Sequence, residues 1–408
     1  MNVLKKLLML VLIAFLVSSC DMTYEVSTQK PFHSEVDLWA YFETKGEQKI
    51  FQEHVNYFNK HQYQVRINAV ILPSNVFHDT VKKAAVEKSL PDIIAVNSNY
   101  VALYADQDFI IPMDKFLTDS TRNDLLSAVL NKGVFDGRIY MVSPQASGLV
   151  LYANKEKLLA NEGDAFIYQS EYIKLHNFES LLERLANHDD DGAVMDMSAL
   201  SNRNWAAQML LSQLSETSFI PADDMAESPS MERALQLISK WNGEGYIASN
   251  DSDALLNGDV ALSWSLLADY PKLKRSMGDN LVMIPFPGLF GHDDLFGNVS
   301  KYSHPIIKSW GWSVTRQCDD VQVAMHFIEY IFQKQKIIEA SRESKLMPAT
   351  LTALKEIDYF SSQREINFIN AENTISLSKT HLIRPEMYSK LQTVFNNVNK
   401  DEAISKIE

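Results

Sequence analysis

Between residues 36 and 96 the hydrophobic period of the chain switches repeatedly, and this pattern restricts the fold more than any other feature. Val36-Asp37-Leu38-Trp39-Ala40-Tyr41-Phe42 reads as a buried strand, and Gly46 opens a helical stretch with Ile50, Val55 and Phe58 at near-helical spacing. Residues 64–70 alternate, with Val65, Ile67 and Ala69 set against Gln64, Arg66 and Asn68. A helix is predicted over 76–88, and 91–96 carries a short continuous apolar run. Strand, helix, strand, helix, strand is the order of a doubly wound α/β lobe with a mostly parallel sheet.

Farther along, helical spacing dominates over 178–186, 205–214, 231–241, 321–336 and 385–398, which predicts a helix-rich second lobe. A chain of 408 residues exceeds what one hydrophobic core usually serves, so two lobes are expected. No internal repeat or low-complexity segment interrupts them.

The first residues have another purpose. Lys5 and Lys6 precede an apolar stretch over 7–17 and a small-residue exit, Val17-Ser18-Ser19-Cys20, the make-up of a secretory signal over 1–19. Eleven apolar residues are too few to span a bilayer, which needs roughly 20. Val-Ser-Ser-Cys resembles the bacterial lipobox, which implies that Cys20 becomes the acylated N-terminus, with palmitate among its chains. Asp21 resembles the signal that keeps lipoproteins in the inner membrane of many Gram-negative bacteria. Residues 20–35 then form a polar, lipidated tether.

The mature chain has one further cysteine, Cys318, so it has no pair for an internal disulfide, and stability must come from a large core. Loss of a signal with two lysines takes the formal net charge from −14 to −16, with 52 acidic residues in the chain. Such a surface argues against nucleic acid, whose binding rests on neutralising phosphates with Lys and Arg, and against anionic polymers. Beyond the signal no stretch approaches a spanning length without charges.

Several short motifs, in order, resemble the family 1 extracellular solute-binding proteins, the maltose- and oligosaccharide-binding lipoproteins of ABC importers. The opening strand and long helix cover 36–60. Leu90-Pro91-Asp92-Ile93-Ile94 and Phe109-Ile110-Ile111-Pro112-Met113-Asp114 follow. Asp136-Gly137-Arg138-Ile139-Tyr140, Pro144 and Leu151-Tyr152-Ala153-Asn154-Lys155 are the most specific matches. Phe178 stands where the family has Trp at a helix start, followed by Gly258-Asp259-Val260-Ala261-Leu262, Pro285-Phe286-Pro287-Gly288, Ser309-Trp310-Gly311-Trp312 and Met347-Pro348-Ala349. The chain departs from the pattern at Asp108, where a glycine is common, and over 161–175, which reads as an insertion.

The resemblance implies a two-lobed periplasmic-binding-protein fold of type II, each lobe a doubly wound sheet with helices, joined by crossover hinge segments. One lobe is expected over 27–146 with 312–352 and the other over 149–308 with 353–408. It further implies a monomer that captures a sugar or oligosaccharide between the lobes and delivers it to permease subunits. The lipid anchor would hold it on the extracytoplasmic side of the cell membrane, the periplasmic face of the inner membrane in a Gram-negative cell.

Sugar sites combine flat aromatic faces with convergent hydrogen-bonding groups, and open α/β sheets bind at the carboxyl ends of their strands. That directs attention to 41–45, 97–100 and the crossovers over 144–147 and 308–311. Trp39, Tyr41 and Glu43 share one side of the opening strand, and Asn97, Ser98 and Asn99 follow the third. Trp39 has a competing reading as core. Trp264 and Trp310 each read either as a stacking platform or as hinge packing, whereas Trp205 and Trp241 sit at apolar helical spacings and read as core.

No nucleophile elbow, HExxH, Walker A or Cys-x-x-Cys occurs, and Gly243-Glu244-Gly245 lacks the rest of a dinucleotide loop. Asn187-His188-Asp189-Asp190-Asp191-Gly192 begins like a calcium loop, but its twelfth position is Ser198, so a solvated turn is expected. No catalytic residue, metal ligand or cofactor is therefore assigned. Two rivals share the remaining features: a surface lipoprotein glycosidase or lyase whose acid pair hides among the carboxylates, and a sensory solute-binding subunit.

Overall fold

The computed structural model describes residues 34–42, 44–62, 64–168, 173–188, 193–201, 229–248, 253–287, 306–357, 359–360 and 362–370. The signal, the tether, Cys20, Glu43, Trp205, Asp189 to Gly192 and the helix expected over 385–398 lie outside them.

The alternating start folds as its period dictates. Strand β1 (Ser34–Ala40) is followed by helix α1 (Lys45–His61), β2 (Val65–Ile71), α2 (Ser74–Glu87) and β3 (Ile93–Asn97). Thr44 and Glu47 close a reciprocal capping box at the start of α1, with the Thr44 amide donating to Glu47 Oε2 at 2.9 Å. Both β2 and β3 lie parallel to β1, one on each side. The two connections therefore run in opposite directions, and right-handed crossovers put α1 and α2 on opposite faces of the sheet.

The remaining strands are β4 (Val134–Phe135), β5 (Arg138–Ile139), β6 (Gln145–Asn154), β7 (Met195–Asp196), β8 (Leu262–Leu266), β9 (Leu281–Ile284), β10 (Ile306–Val314) and β11 (Met347–Pro348). They form one sheet in the order β2-β1-β3-β10-β6-β8-β7, with β9 and β11 also on β6, and a separate β4–β5 hairpin. Asp136 and Gly137 turn that hairpin at φ 48° and 71°, the left-handed pair of a tight two-residue loop. Asp108 also takes φ 55°, a conformation that explains the glycine expected there and that Asp tolerates better than most side chains.

Strand β6 is buried on both faces, and its alternation sorts side chains into two cores. Leu149, Leu151 and Ala153 join a cluster with Phe178, Trp241, Trp264 and Phe286. Val150 and Tyr152 join the larger cluster of Leu38, Ile93, Phe51, Trp312 and Phe327. Trp241 is core, as its spacing suggested.

The helices expected over 178–186 and 231–241 are present as Leu175–His188 and Pro229–Gly243, and the short strands β7 to β9 lie between and after them. One expectation needs correction. The helix predicted over 321–336 is two: α3 (Val321–Ile331) and α4 (Lys334–Ser344), broken where Gln333 turns extended at φ −60°, ψ 132°. The break lets Ile337 and Ile338 re-aim into the core, which a straight helix would not allow.

Candidate functional site

The site follows from how β10 is shared. Its first half, Ile306 to Ser309, pairs antiparallel with Leu149 to Ala146 of β6, and its second half, from Trp310, pairs antiparallel with Asn97 to Ile93 of β3. Strand β3 thus ends against Trp310, while β8 ends with Leu266 beside Leu149. The carboxyl ends of β3 and β8 point at each other along β10. Four residues at a rise of about 3.3 Å offset these ends by about 13 Å along the strand direction, and β10 and β6 separate them across the sheet by three spacings of about 4.8 Å. Both strand ends open onto the same crossover, where α/β sheets bind ligands.

The crossover is closely fitted. The Ser143 hydroxyl sits between the carbonyl oxygens of Gln145 and Trp310. A Cβ on Gly311 would lie 2.2 Å from the Val142 oxygen, and one on Gly148 would lie 2.5 Å from Leu267 Cδ1. Glycine at both positions lets the strands and the turn after β8 approach closely. Met347 and Pro348 pair with Ala146 and Gln145, and the Ala349 amide donates to the Pro144 oxygen at 3.0 Å. A third segment is thereby tied to the same place.

The first wall comes from the ends of β1 and β3. Asn97 accepts the Asn99 amide at 3.0 Å, which turns the chain away from the strand. Ser98 is buried, and its Oγ accepts the Ser309 amide at 3.5 Å, a weak tie to the crossover. Asn97 and Asn99 are half-buried at the end of β3. Trp310 packs edge-on against Phe42 at 5.4 Å and Trp312 at 5.6 Å between ring centroids, and stays partly exposed. Tyr41 leans on Phe77 of α2 at 4.7 Å, and Trp39 is half-buried in β1 beside Val70 and Ile94.

A second set of rings was not anticipated. His78 of α2 stacks on Tyr100 at 4.2 Å and shares a 2.7 Å hydrogen bond with the Tyr104 hydroxyl. Burial pushes the His78 imidazole down to about 4 and the Tyr104 phenol up. The stack is neutral at physiological pH and braces the loop that carries Asn99. Nothing in the local pattern of α2 marks His78 for this role, since its partners come from beyond β3.

Trp264 does not belong to the site. It is fully buried, with its ring 4.6 Å from Phe286 and its Nε1 donating to Met195 Sδ at 3.3 Å. Leu262, Trp264 and Leu266 share one face of β8, and Leu262 and Trp264 enter the smaller core while Ser263 and Ser265 take the other face. The second wall is instead the turn Leu267–Asp269 that follows β8. That alternation was readable in advance.

The opposed strand ends, the shared crossover strand and the aromatic, amide-bearing rim define a solute-binding protein. The chain belongs to the bacterial extracellular solute-binding protein family, whose sequence model matches residues 53–364. Its place is therefore extracytoplasmic.

Solved structures have the same fold. The sugar-binding protein MalE of Xanthomonas citri superposes at TM-score 0.60 with 16% identity, covering 92% of this chain and 100% of that one. The GacH receptor of Streptomyces glaucescens, solved unliganded and with acarbose, gives 0.54 at 16% identity over 91% and 99%. The MalE domain of Bdellovibrio bacteriovorus bound to maltotriose gives 0.52 at 15% identity over 90% and 94%. No curated protein matches by sequence.

No helix among the described residues is long and apolar enough to cross a membrane. Among those residues no group of three or more His, Cys, Asp or Glu could hold a metal.

Proposed function

We propose that the chain is the solute-binding subunit of an ABC importer, capturing a neutral sugar or oligosaccharide between two lobes and presenting it to the permease. The observation that carries this reading is the pair of opposed strand ends on either side of β10 and β6, offset by about 13 Å along the strand direction. A solute lying there touches both walls at once. Its aromatic and amide rim suits a pyranose, whose CH face stacks on rings and whose hydroxyls take hydrogen bonds. The related fold serves sugar and acarbose binding in the neighbours named above.

In this reading the lobes are 27–146 with 312–352 and 149–308 with 353–408, hinged over 144–148 and 307–311. Trp310, Tyr41, Asn97, Ser98 and Asn99 contact or shape the ligand site, with Trp39 behind them. The protein is tethered through acyl chains on Cys20 after removal of 1–19, a form of attachment that needs no spanning helix.

Thermal shift of the mature protein against sugars, amino acids, polyamines and metals tests the ligand class, because a ligand of the native state stabilises it by RT ln(1 + [L]/Kd). Oligosaccharides should raise Tm. A rise with metals or amino acids alone would sink the sugar assignment.

A further inference from the structure

Away from the crossover, a cavity of about 540 Å³ lies between the carboxyl end of α1 and the α3–α4 break. Its size falls within the range of small-molecule sites. The ring of His61 stacks face to face on Tyr57 at 3.8 Å and 20°, and Tyr57 is half exposed. Phe58 and Tyr330, 4.9 Å apart, form the apolar floor.

The charges at this cavity are already satisfied. Glu329 accepts the Thr118 amide at 2.9 Å and the hydroxyls of Thr118 and Thr121. Lys336, whose ammonium lies 4.9 Å from the Tyr57 ring centre, pairs with Glu339 at 2.8 Å. The Gln62 amide is spent on its own turn, with Gln64, Val65 and the Val65 carbonyl as partners.

Neutral polar groups are left over. The Tyr330 hydroxyl is buried without a partner. His61 Nδ1 lies 2.8 Å from the Tyr57 carbonyl oxygen, which can only accept, so Nδ1 carries a proton and Nε2 is left for another partner. The side chains of His326 and Gln333, both exposed, line the same space. Flat rings, unspent neutral donors and acceptors, and no unpaired charge are what an uncharged polyhydroxyl ring requires.

We propose that this cavity is a second, peripheral carbohydrate site, taking one neutral sugar or polyol independently of the cleft. Such a site would hold a sugar-rich polymer or a second solute against the outer face of the first lobe. It stands whether or not the cleft takes a sugar.

The full chain is titrated with maltose, maltotriose and myo-inositol while the imidazole Cε1–H resonances of His61 and His326, assigned through His61→Gln and His326→Gln, are followed by NMR. Tryptophan fluorescence reports the cleft in the same samples. The expected result is a saturable shift of both resonances with at least one probe. It should survive Trp310→Ala and weaken about fivefold or more in the surface variant Gln333→Ala, roughly one lost hydrogen bond. Resonances unmoved by all three probes overturn the proposal, even if fluorescence shows cleft binding. So do shifts that vanish together with the cleft signal in Trp310→Ala.

Discussion

Trp310 and Asn97 are partners on the rung where β10 meets the last residue of β3. One strand that has just left β6 thus places an indole beside an amide at the mouth of the crossover. Trp310→Ala removes the ring and leaves the rung intact, because its backbone bonds do not depend on the side chain. Calorimetric titration with the sugar that raises Tm should show binding weakened at least about tenfold, roughly 1.4 kcal/mol, with the fold retained. Unchanged affinity would take Trp310 out of the site.

Trp264→Ala is expected to act on stability. Removing a fully buried indole packed on Phe286 and Met195 leaves a large cavity, at a cost of about 3–5 kcal/mol. Urea denaturation measures it, and a loss below about 1 kcal/mol would contradict the packing described.

Cys20→Ser should move the protein from the membrane to the soluble fraction, since the tether rests on acyl chains at that one side chain. Membrane association that persists in the variant would rule the lipobox reading out.

Closure about 144–148 and 307–311 should shrink the radius of gyration when a ligand bridges the walls, as in hinged binding proteins. A ligand drives this only if it binds the closed form more tightly than the open one. Small-angle scattering with saturating sugar checks it; an unchanged radius would mean a rigid site.

His78 gives the fold a pH dependence of known sign. Its imidazole is held down to about 4 against an ordinary 6.5, mainly by burial, so the unfolded chain takes the proton first as pH falls. Stability is complete above about 6.5, declines between 6.5 and about 4, and levels off below. With allowance for a half-exposed ring the loss is on the order of 1 kcal/mol. His54, lowered mainly by burial against its bond to Glu339, adds to the same slope. Comparison of urea midpoints for wild type and His78→Phe at pH 7 and pH 4.5 isolates the His78 part, and identical slopes would refute it.

Local pattern alone determined the strand and helix order from Val36 to Val96, because the hydrophobic period is written in neighbouring residues. The place of Trp241 in the core was equally legible from helical spacing. Trp264 shows where an order of motifs misleads: its position after Gly258 suggested a cleft, but the Leu262-Trp264-Leu266 alternation puts it on the buried face. Only tertiary structure decided that β10 is split between β3 and β6, so that Trp310 meets Asn97 across 213 residues of chain and two strand ends face one another. The same holds for His78 beside Tyr100 and for the cavity where α1 meets α3. These pairings depend on which surfaces of distant segments fit and exclude water together, a property of packing that no window of adjacent residues contains.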